Sequence, residues 1–169
     1  MNGDSQGFIN ALVFNKTDLL KKIPKSDLHS HSLLASRFST FCREMKVSLP
    51  PPPEFMNDIS EMNKYIIDNL RNIILTEDGF QRALMLAFLQ AEEDGITKLE
   101  MSIDAMFLSL YSFDIIKFIG VIDQIYRNST VNVRFSPEIG ISRNLEISEA
   151  EKYVVPCIES SYFKSIDIY

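Results

Sequence analysis

The segment Lys25–His31 reads K-S-D-L-H-S-H and contains both histidines of the chain, His29 and His31, two residues apart. The segment is short and follows Pro24, and we interpret it as a β-strand. Because side chains in a strand alternate between two faces, we expect Asp27, His29 and His31 to share one face. The two imidazoles then point the same way, with Cβ atoms about 7 Å apart, so both rings can reach one metal ion.

His29 and His31 are therefore the predicted metal ligands. Zinc binds neutral imidazole nitrogen at about 2.0–2.1 Å, and a catalytic zinc typically has three protein ligands and a water molecule. Two histidines make only part of such a site. The alternative is that either ring is an ordinary surface or hydrogen-bonded histidine, because His-x-His alone is a weak motif.

Composition places the chain among globular proteins and excludes several kinds of partner. The 169 residues are 46% hydrophobic and 24% charged, which suits one domain with a real core. The chain has 17 basic and 23 acidic residues, a net charge of −6, and no basic cluster, so we expect no nucleic-acid partner. The longest apolar run is too short for a membrane span, and nothing resembles a signal peptide. Cys42 and Cys157 are predicted to be reduced thiols of a cytoplasmic protein.

Hydrophobic periodicity predicts the element order β-α-α-β-α-β-α-β. Residues 1–14 are interpreted as a loose N-terminal segment, residues 15–169 as one partial β/α domain, and residues 32–57 as a long proline-rich loop within it. The predicted strands are residues 25–31, 96–104, 131–139 and 164–169. The predicted helices are residues 18–22, 59–75, 77–93 and 113–127, and one that opens at Ser148 and that Pro156 should kink or stop.

Some side chains carry specific expectations about packing. In the long loop, Phe38, Phe41 and Met45 should pack, which makes it an ordered loop of the kind that often forms a lid or binding loop. Ile59 is predicted to begin the buried stripe of the helix at 59–75. Val131 is predicted to begin the buried apolar face of the third strand. Strands separated by helices imply parallel pairing, and no glycine-rich phosphate turn follows any strand.

Residues 23–31, I-P-K-S-D-L-H-S-H, resemble the opening of adenosine deaminase-like members of the amidohydrolase superfamily. Members start with a proline-lysine pair, an acidic residue and Leu-His-x-His on the first barrel strand. Residues 99–102, 134–137 and 165–168 resemble the second, third and fourth strands in order. The resemblance implies an α/β fold, the N-terminal half of a (β/α)8 TIM-type barrel, with about four parallel strands and covering helices.

The resemblance also implies a zinc-dependent hydrolase, or one using another divalent transition metal, that deaminates a purine-like or related amino-heterocycle. His29 and His31 would be the first two metal ligands, and Asp167 would lie inside the barrel, able to orient a ligand or meet the substrate. Leu33 stands where nucleoside-processing members have a ribose-binding aspartate, so adenosine itself is not implied. The family's other metal ligands, its proton-shuttling glutamate and its second catalytic histidine are expected beyond Tyr169.

This interpretation predicts that the chain alone does not turn over a small-molecule substrate. A half barrel leaves two strand edges unpaired, so we expect it to need the missing C-terminal half or to self-associate through those edges.

Two other functions stay open at this stage. Phosphoesterases of the polymerase-and-histidinol-phosphatase type also open with Asp-Leu-His-x-His-Ser, which residues 27–32 match. Those proteins usually continue with Ser-Asp-Gly and Thr-Asp-His elements, which this chain lacks. The third possibility is a non-catalytic half-barrel fragment whose histidines bind no metal.

Overall fold

The structure is a computed structural model that describes residues 3–169. Its elements, in chain order, are α1 (Gly3–Val13), α2 (Thr17–Lys22), β1 (Lys25–His31), α3 (Phe38–Met45), α4 (Ile59–Asn69), α5 (Arg71–Ile74), α6 (Glu77–Glu93), β2 (Ile96–Asp104), a 3-10 helix (Ala105–Tyr111), α7 (Ile115–Ser129), β3 (Arg134–Ile141), α8 (Ile147–Glu159) and β4 (Ser165–Ile168).

The four strands form one sheet in the order β1-β2-β3-β4, and every neighbouring pair is parallel. The predicted four parallel strands with intervening helices are therefore confirmed. Parallel neighbours place all four carboxyl ends at the same edge of the sheet, which is where such folds carry their sites. Within residues 3–169, β1 and β4 each pair on one side only.

Three elements have the predicted bounds, β1, β2 and α6, and local signals define the last two. β2 alternates polar and apolar side chains from Lys98 to Asp104, and α6 begins after Thr76, whose hydroxyl accepts a hydrogen bond from the Gly79 amide at 3.0 Å. Gly95 follows α6 with φ +73°, and a Cβ there would lie 1.8 Å from the Lys21 carbonyl oxygen. Only glycine fits that turn between α6 and β2.

The main core lies between the outer face of the sheet and the helices. β2 turns Leu99, Met101 and Ile103 outward, and all three are buried. The helix side chains packed against this face are largely aromatic; the fully buried ones include Phe80, Phe88, Phe107, Phe118 and Ile122. Burying one such side chain contributes about 1.5–3 kcal/mol, so this layer holds the sheet together.

The helix predicted over residues 59–75 is two helices, α4 and α5, with a break at Leu70. The predicted burial of Ile59 is wrong, since that side chain is 66% exposed. Leu70 and Ile74 are buried because α5 packs against α6. In one straight helix over residues 59–75, these two side chains would not make that contact.

The third strand was predicted to begin at residue 131, and it begins at Arg134. Val131 is 92% exposed, so its predicted burial is wrong. The Glu92 carboxylate accepts hydrogen bonds from the amides of Val131 and Asn132, both at 3.2 Å. These two hydrogen bonds hold residues 131–132 against the C-terminal end of α6, so these residues are not part of β3.

Two helices differ from prediction in their ends. α7 begins two residues later than expected, where the Asp114 carboxylate accepts from the Ile116 and Lys117 amides at 3.0 Å. α8 begins at Ile147, before Ser148, and runs through Pro156 to Glu159, so of the predicted kink or stop at this proline the stop is wrong and the kink stays a prediction. Val154 and Cys157 are buried on either side of the proline, and this packing keeps the segment helical.

The N-terminal region and the long loop are more regular than the sequence pattern indicated. The segment interpreted as loose forms α1, although among residues 5–13 of that helix only Ala11 is buried. Within residues 32–57, α3 interrupts the loop, and the expected packing of Phe41 and Met45 is confirmed.

Among residues 3–169, no single helix is both long and apolar enough to span a membrane. The 3-10 helix and α7 meet that test only as a pair bent by 104°. Cys42 and Cys157 are both free thiols, and burial raises the pKa of the Cys157 thiol to about 12. The cytoplasmic location stays a prediction.

Candidate metal centre

A bulge in β1 decides which of its side chains enter the inner face of the sheet. Asp27 pairs with Leu99 and Ser30 with Met101, so the register slips by one residue between them. Partners in a parallel pair share a face, and Leu99 and Met101 face the helices. The prediction that Asp27 shares a face with the histidines is therefore wrong, because the extra residue reverses the alternation.

The two histidines converge on the inner face as predicted. Their ring centroids are 4.9 Å apart and the rings are nearly perpendicular, at 88°. Asp167 on β4 faces both rings: its Oδ2 lies 3.7 Å from His31 Nε2 and its Oδ1 lies 4.0 Å from His29 Nε2. One ligand atom from each of the three residues lies within 4.8 Å of the others.

Glu138 on β3 completes the surroundings of His29. The register places Glu138 beside Ser165, whose Oγ donates to Glu138 Oε1 at 2.7 Å. The other oxygen, Oε2, lies 3.5 Å from His29 Nδ1. The sequence analysis missed Glu138, although it lies two residues after Ser136 on the same polar face of the strand.

Asp104 and Tyr169 lie next to His31, and the sequence analysis also missed both. The Tyr169 hydroxyl donates to Asp104 Oδ1 at 2.5 Å, and its ring meets the His31 ring edge-on with centroids 5.5 Å apart. Burial raises the pKa of the Asp104 carboxyl. Gly140 allows this crowding, since a Cβ there would lie 2.7 Å from both Asp104 Oδ1 and Ser102 Oγ.

The electrostatics of the inner face favour a cation. Three carboxyl groups of this face surround the histidines, those of Asp104, Glu138 and Asp167, and among the described residues none of them forms an ion pair with lysine or arginine, whereas Glu100 farther along the face pairs with Lys98. Three buried side-chain atoms have no hydrogen-bond partner: Ser102 Oγ, Glu138 Oε2 and Asp167 Oδ2. Buried polar atoms in native proteins are nearly always paired, so exceptions indicate a functional position or a bound ion.

The donor set fits zinc. Two imidazole nitrogens and a carboxylate oxygen are ligands that catalytic zinc sites use. The two nitrogen–oxygen separations are 3.7 and 4.0 Å, and all three ligand atoms lie within 4.8 Å of one another, so these residues could hold one ion.

Leu33 does not join this group. It is half-buried and packs against both apolar clusters of the chain. With Phe41 and Tyr65 it lines a mainly apolar cavity of about 210 Å³, beyond the carboxyl end of β1. Neither His29 nor His31 lines this cavity, so the structure places Leu33 at an apolar cavity separate from the metal-ligand group.

Comparison with known proteins gives a consistent result. No family model matches the chain. A protein of Treponema pallidum (strain Nichols), named "Putative adenosine/adenine deaminase", is 27% identical over 146 residues, which are 86% of this chain and 49% of that protein. The crystal structure of an adenine deaminase from Arthrobacter aurescens superposes with a TM-score of 0.56 at 13% identity, over 85% of this chain and 48% of that chain.

The structural match shows the fold, so the predicted half of a TIM barrel is confirmed. The sequence match is to a protein named as an adenosine/adenine deaminase, so the expected resemblance to such deaminases is confirmed. The chain spans about half the length of the relatives it matches. The roles of His29 and His31 as metal ligands stay predictions.

Proposed function

We propose that this chain forms the metal-binding half of a zinc-dependent hydrolase that deaminates a purine-like or related amino-heterocycle. One observation carries the proposal: His29, His31 and Asp167 present ligand atoms within 4.8 Å of one another on the inner face of a parallel sheet. The named activities of the relatives support deamination as the reaction class.

In this proposal His29 and His31 hold the metal through their Nε2 atoms, which both face Asp167. Asp167 either supplies a third ligand oxygen or accepts a hydrogen bond from a water molecule at the site. A bound zinc would supply Lewis-acid activation of water near neutral pH. The Tyr169 ring limits rotation of the His31 ring by edge contact.

The general acid and base are proposed to come from the other half of the barrel, added at the open edges of β1 and β4. Two findings support this: the relatives are about twice as long, and both edge strands are unpaired on one side among the described residues. The chain alone is then expected to bind metal without turnover.

Zinc titration of the 169-residue chain against a chromophoric chelator tests the proposal. We expect one zinc per chain, and a loss of affinity of at least about 100-fold in His29→Ala and in His31→Ala, because each variant removes a ligand. Cys42→Ser is the matched control, since a thiol is the other strong zinc ligand in the chain, and it should change nothing.

The contrary outcomes are distinct. Absence of zinc binding, or binding that both histidine variants retain, would leave the non-catalytic half-barrel fragment as the better explanation. Ammonia release from an aminopurine by the zinc-loaded chain, lost in His29→Ala, would support the reaction class and contradict the need for a second half.

A further inference from the structure

Glu138 is a buried acid that neither the fold nor the proposed ligand set explains. Its side chain is 10% exposed, and its Oε2 has no hydrogen-bond partner. Leaving a buried charged acceptor unpaired costs more than the roughly 1–3 kcal/mol of a neutral group. An apolar residue at this position of β3 would avoid that cost.

The two oxygens of Glu138 have different surroundings. Oε1 is held by the Ser165 hydroxyl at 2.7 Å, which fixes the plane of the carboxylate. Oε2 is thereby directed at His29 Nδ1, 3.5 Å away. The opposite edge of the same ring carries Nε2, which faces Asp167. Glu138 and Asp167 therefore lie on opposite sides of one imidazole.

The geometry points to Glu138 as a positioning residue that accepts the Nδ1 proton of His29 and so keeps Nε2 free as a metal ligand. This inference rests on the proposed function, because it takes His29 as a ligand. Imidazoles that bind metal usually donate their other N–H to a carboxylate, a carbonyl oxygen or water, which fixes both tautomer and ring orientation. A small rotation of the ring brings the 3.5 Å separation within hydrogen-bond range.

The effect should be confined to His29. His31 has the Tyr169 ring beside it, and among the described residues its only ion-pairing carboxylate is Asp167, on its Nε2 side. Replacing Glu138 should therefore change one of the two histidines, which a structural disturbance of the whole inner face would not do.

Glu138→Gln tests this with almost no change in shape. The Ser165 hydroxyl would donate to the amide oxygen, which turns the amide N–H groups toward His29 Nδ1. That nitrogen must then accept, so the proton moves to Nε2 and blocks the metal position.

The measurement is long-range ¹H–¹⁵N NMR of the imidazoles in the metal-free chain, at a pH where both rings are neutral. The chain has only 2 histidines, so the two spin systems can be assigned by His31→Ala. We expect His29 to carry its proton on Nδ1 in the wild type and to shift toward Nε2–H in Glu138→Gln. Zinc affinity should fall about 10–100-fold. Glu100→Gln, on the same face but paired with Lys98, is the matched control and should change neither.

Unchanged His29 signals and unchanged zinc affinity in Glu138→Gln would overturn the inference while leaving the proposed function intact. If the wild-type chain binds no zinc, the proposed function is contradicted. The role of Glu138 toward a metal ligand is then contradicted as well, whichever tautomer His29 adopts. If Glu138→Gln does not fold, Ser165→Ala replaces it: this variant keeps the carboxylate but frees Oε1, and a mixture of His29 tautomers is then expected. A single unchanged tautomer there would contradict the inference.

Discussion

The two faces of the same four-stranded sheet are built on opposite principles. The outer face buries Leu99, Ile103 and Ile139 under helices, and its side chains need no polar partner. The inner face gathers carboxyl groups and imidazoles, and all three of the unpaired buried polar atoms identified in the described chain lie there. The buried apolar side chains of the outer face stabilise the protein, whereas the unpaired polar atoms of the inner face lower its stability. This is the pattern expected of a functional site.

The largest effect should come from opening the outer layer. Phe80→Ala removes a fully buried ring stacked on Phe107 at a centroid distance of 4.7 Å, and we expect a loss of about 3–5 kcal/mol in the free energy of unfolding. Urea denaturation measures it. Leu89→Ala on the same helix, 45% exposed, is the control and should cost far less. Equal losses would mean that the outer layer is not the stabilising face.

Crowding of the inner face should give a smaller effect. In Gly140→Ala the new methyl group meets Asp104 Oδ1 and Ser102 Oγ at 2.7 Å, so side chains must shift, at a cost of about 1–3 kcal/mol. Gly120→Ala on α7, with nothing within 4 Å of the added Cβ, should instead stabilise the protein by about 0.4–1 kcal/mol. Urea denaturation of both variants compares them, and a neutral Gly140→Ala would show that the inner face is looser than its distances indicate.

The smallest effect concerns the charge on the inner face. Burial raises the pKa of Asp104 above its ordinary 3.8, so the unfolded chain ionises first as pH rises. The contribution of this group to stability is therefore complete below about pH 4 and is lost as pH rises through the folded pKa. Asp104→Asn keeps an acceptor for the Tyr169 hydroxyl and cannot ionise.

Relative to Asp104→Asn, the wild type should lose stability as pH rises above about 4, because the ionised carboxylate is disfavoured by burial in the folded chain. Urea denaturation at several pH values gives the difference. If instead the wild type becomes more stable relative to Asp104→Asn as pH rises, its surroundings in the folded protein must stabilise the Asp104 carboxylate.

The elements that the sequence predicted correctly are those whose bounds depend on residues close together in the chain. Alternation located β2, and the Thr76 cap with Gly95 located both ends of α6. Because His29 and His31 are two residues apart on one strand, their convergence also needed only local geometry. The break at Leu70 and the late start of β3 depend on contacts with α6, which no local pattern contains.

The sequence by itself determined that strands and helices alternate, that the strands run parallel, and that two imidazoles point to one side of β1. Only the tertiary structure decided that Asp27 turns away at a bulge and that Glu138 and Tyr169 lie beside those rings, whereas Asp167 was already expected inside the barrel from the family resemblance. The reason is physical: alternation is a property of one strand, whereas register is set by the packing of neighbouring strands and helices far apart in the chain.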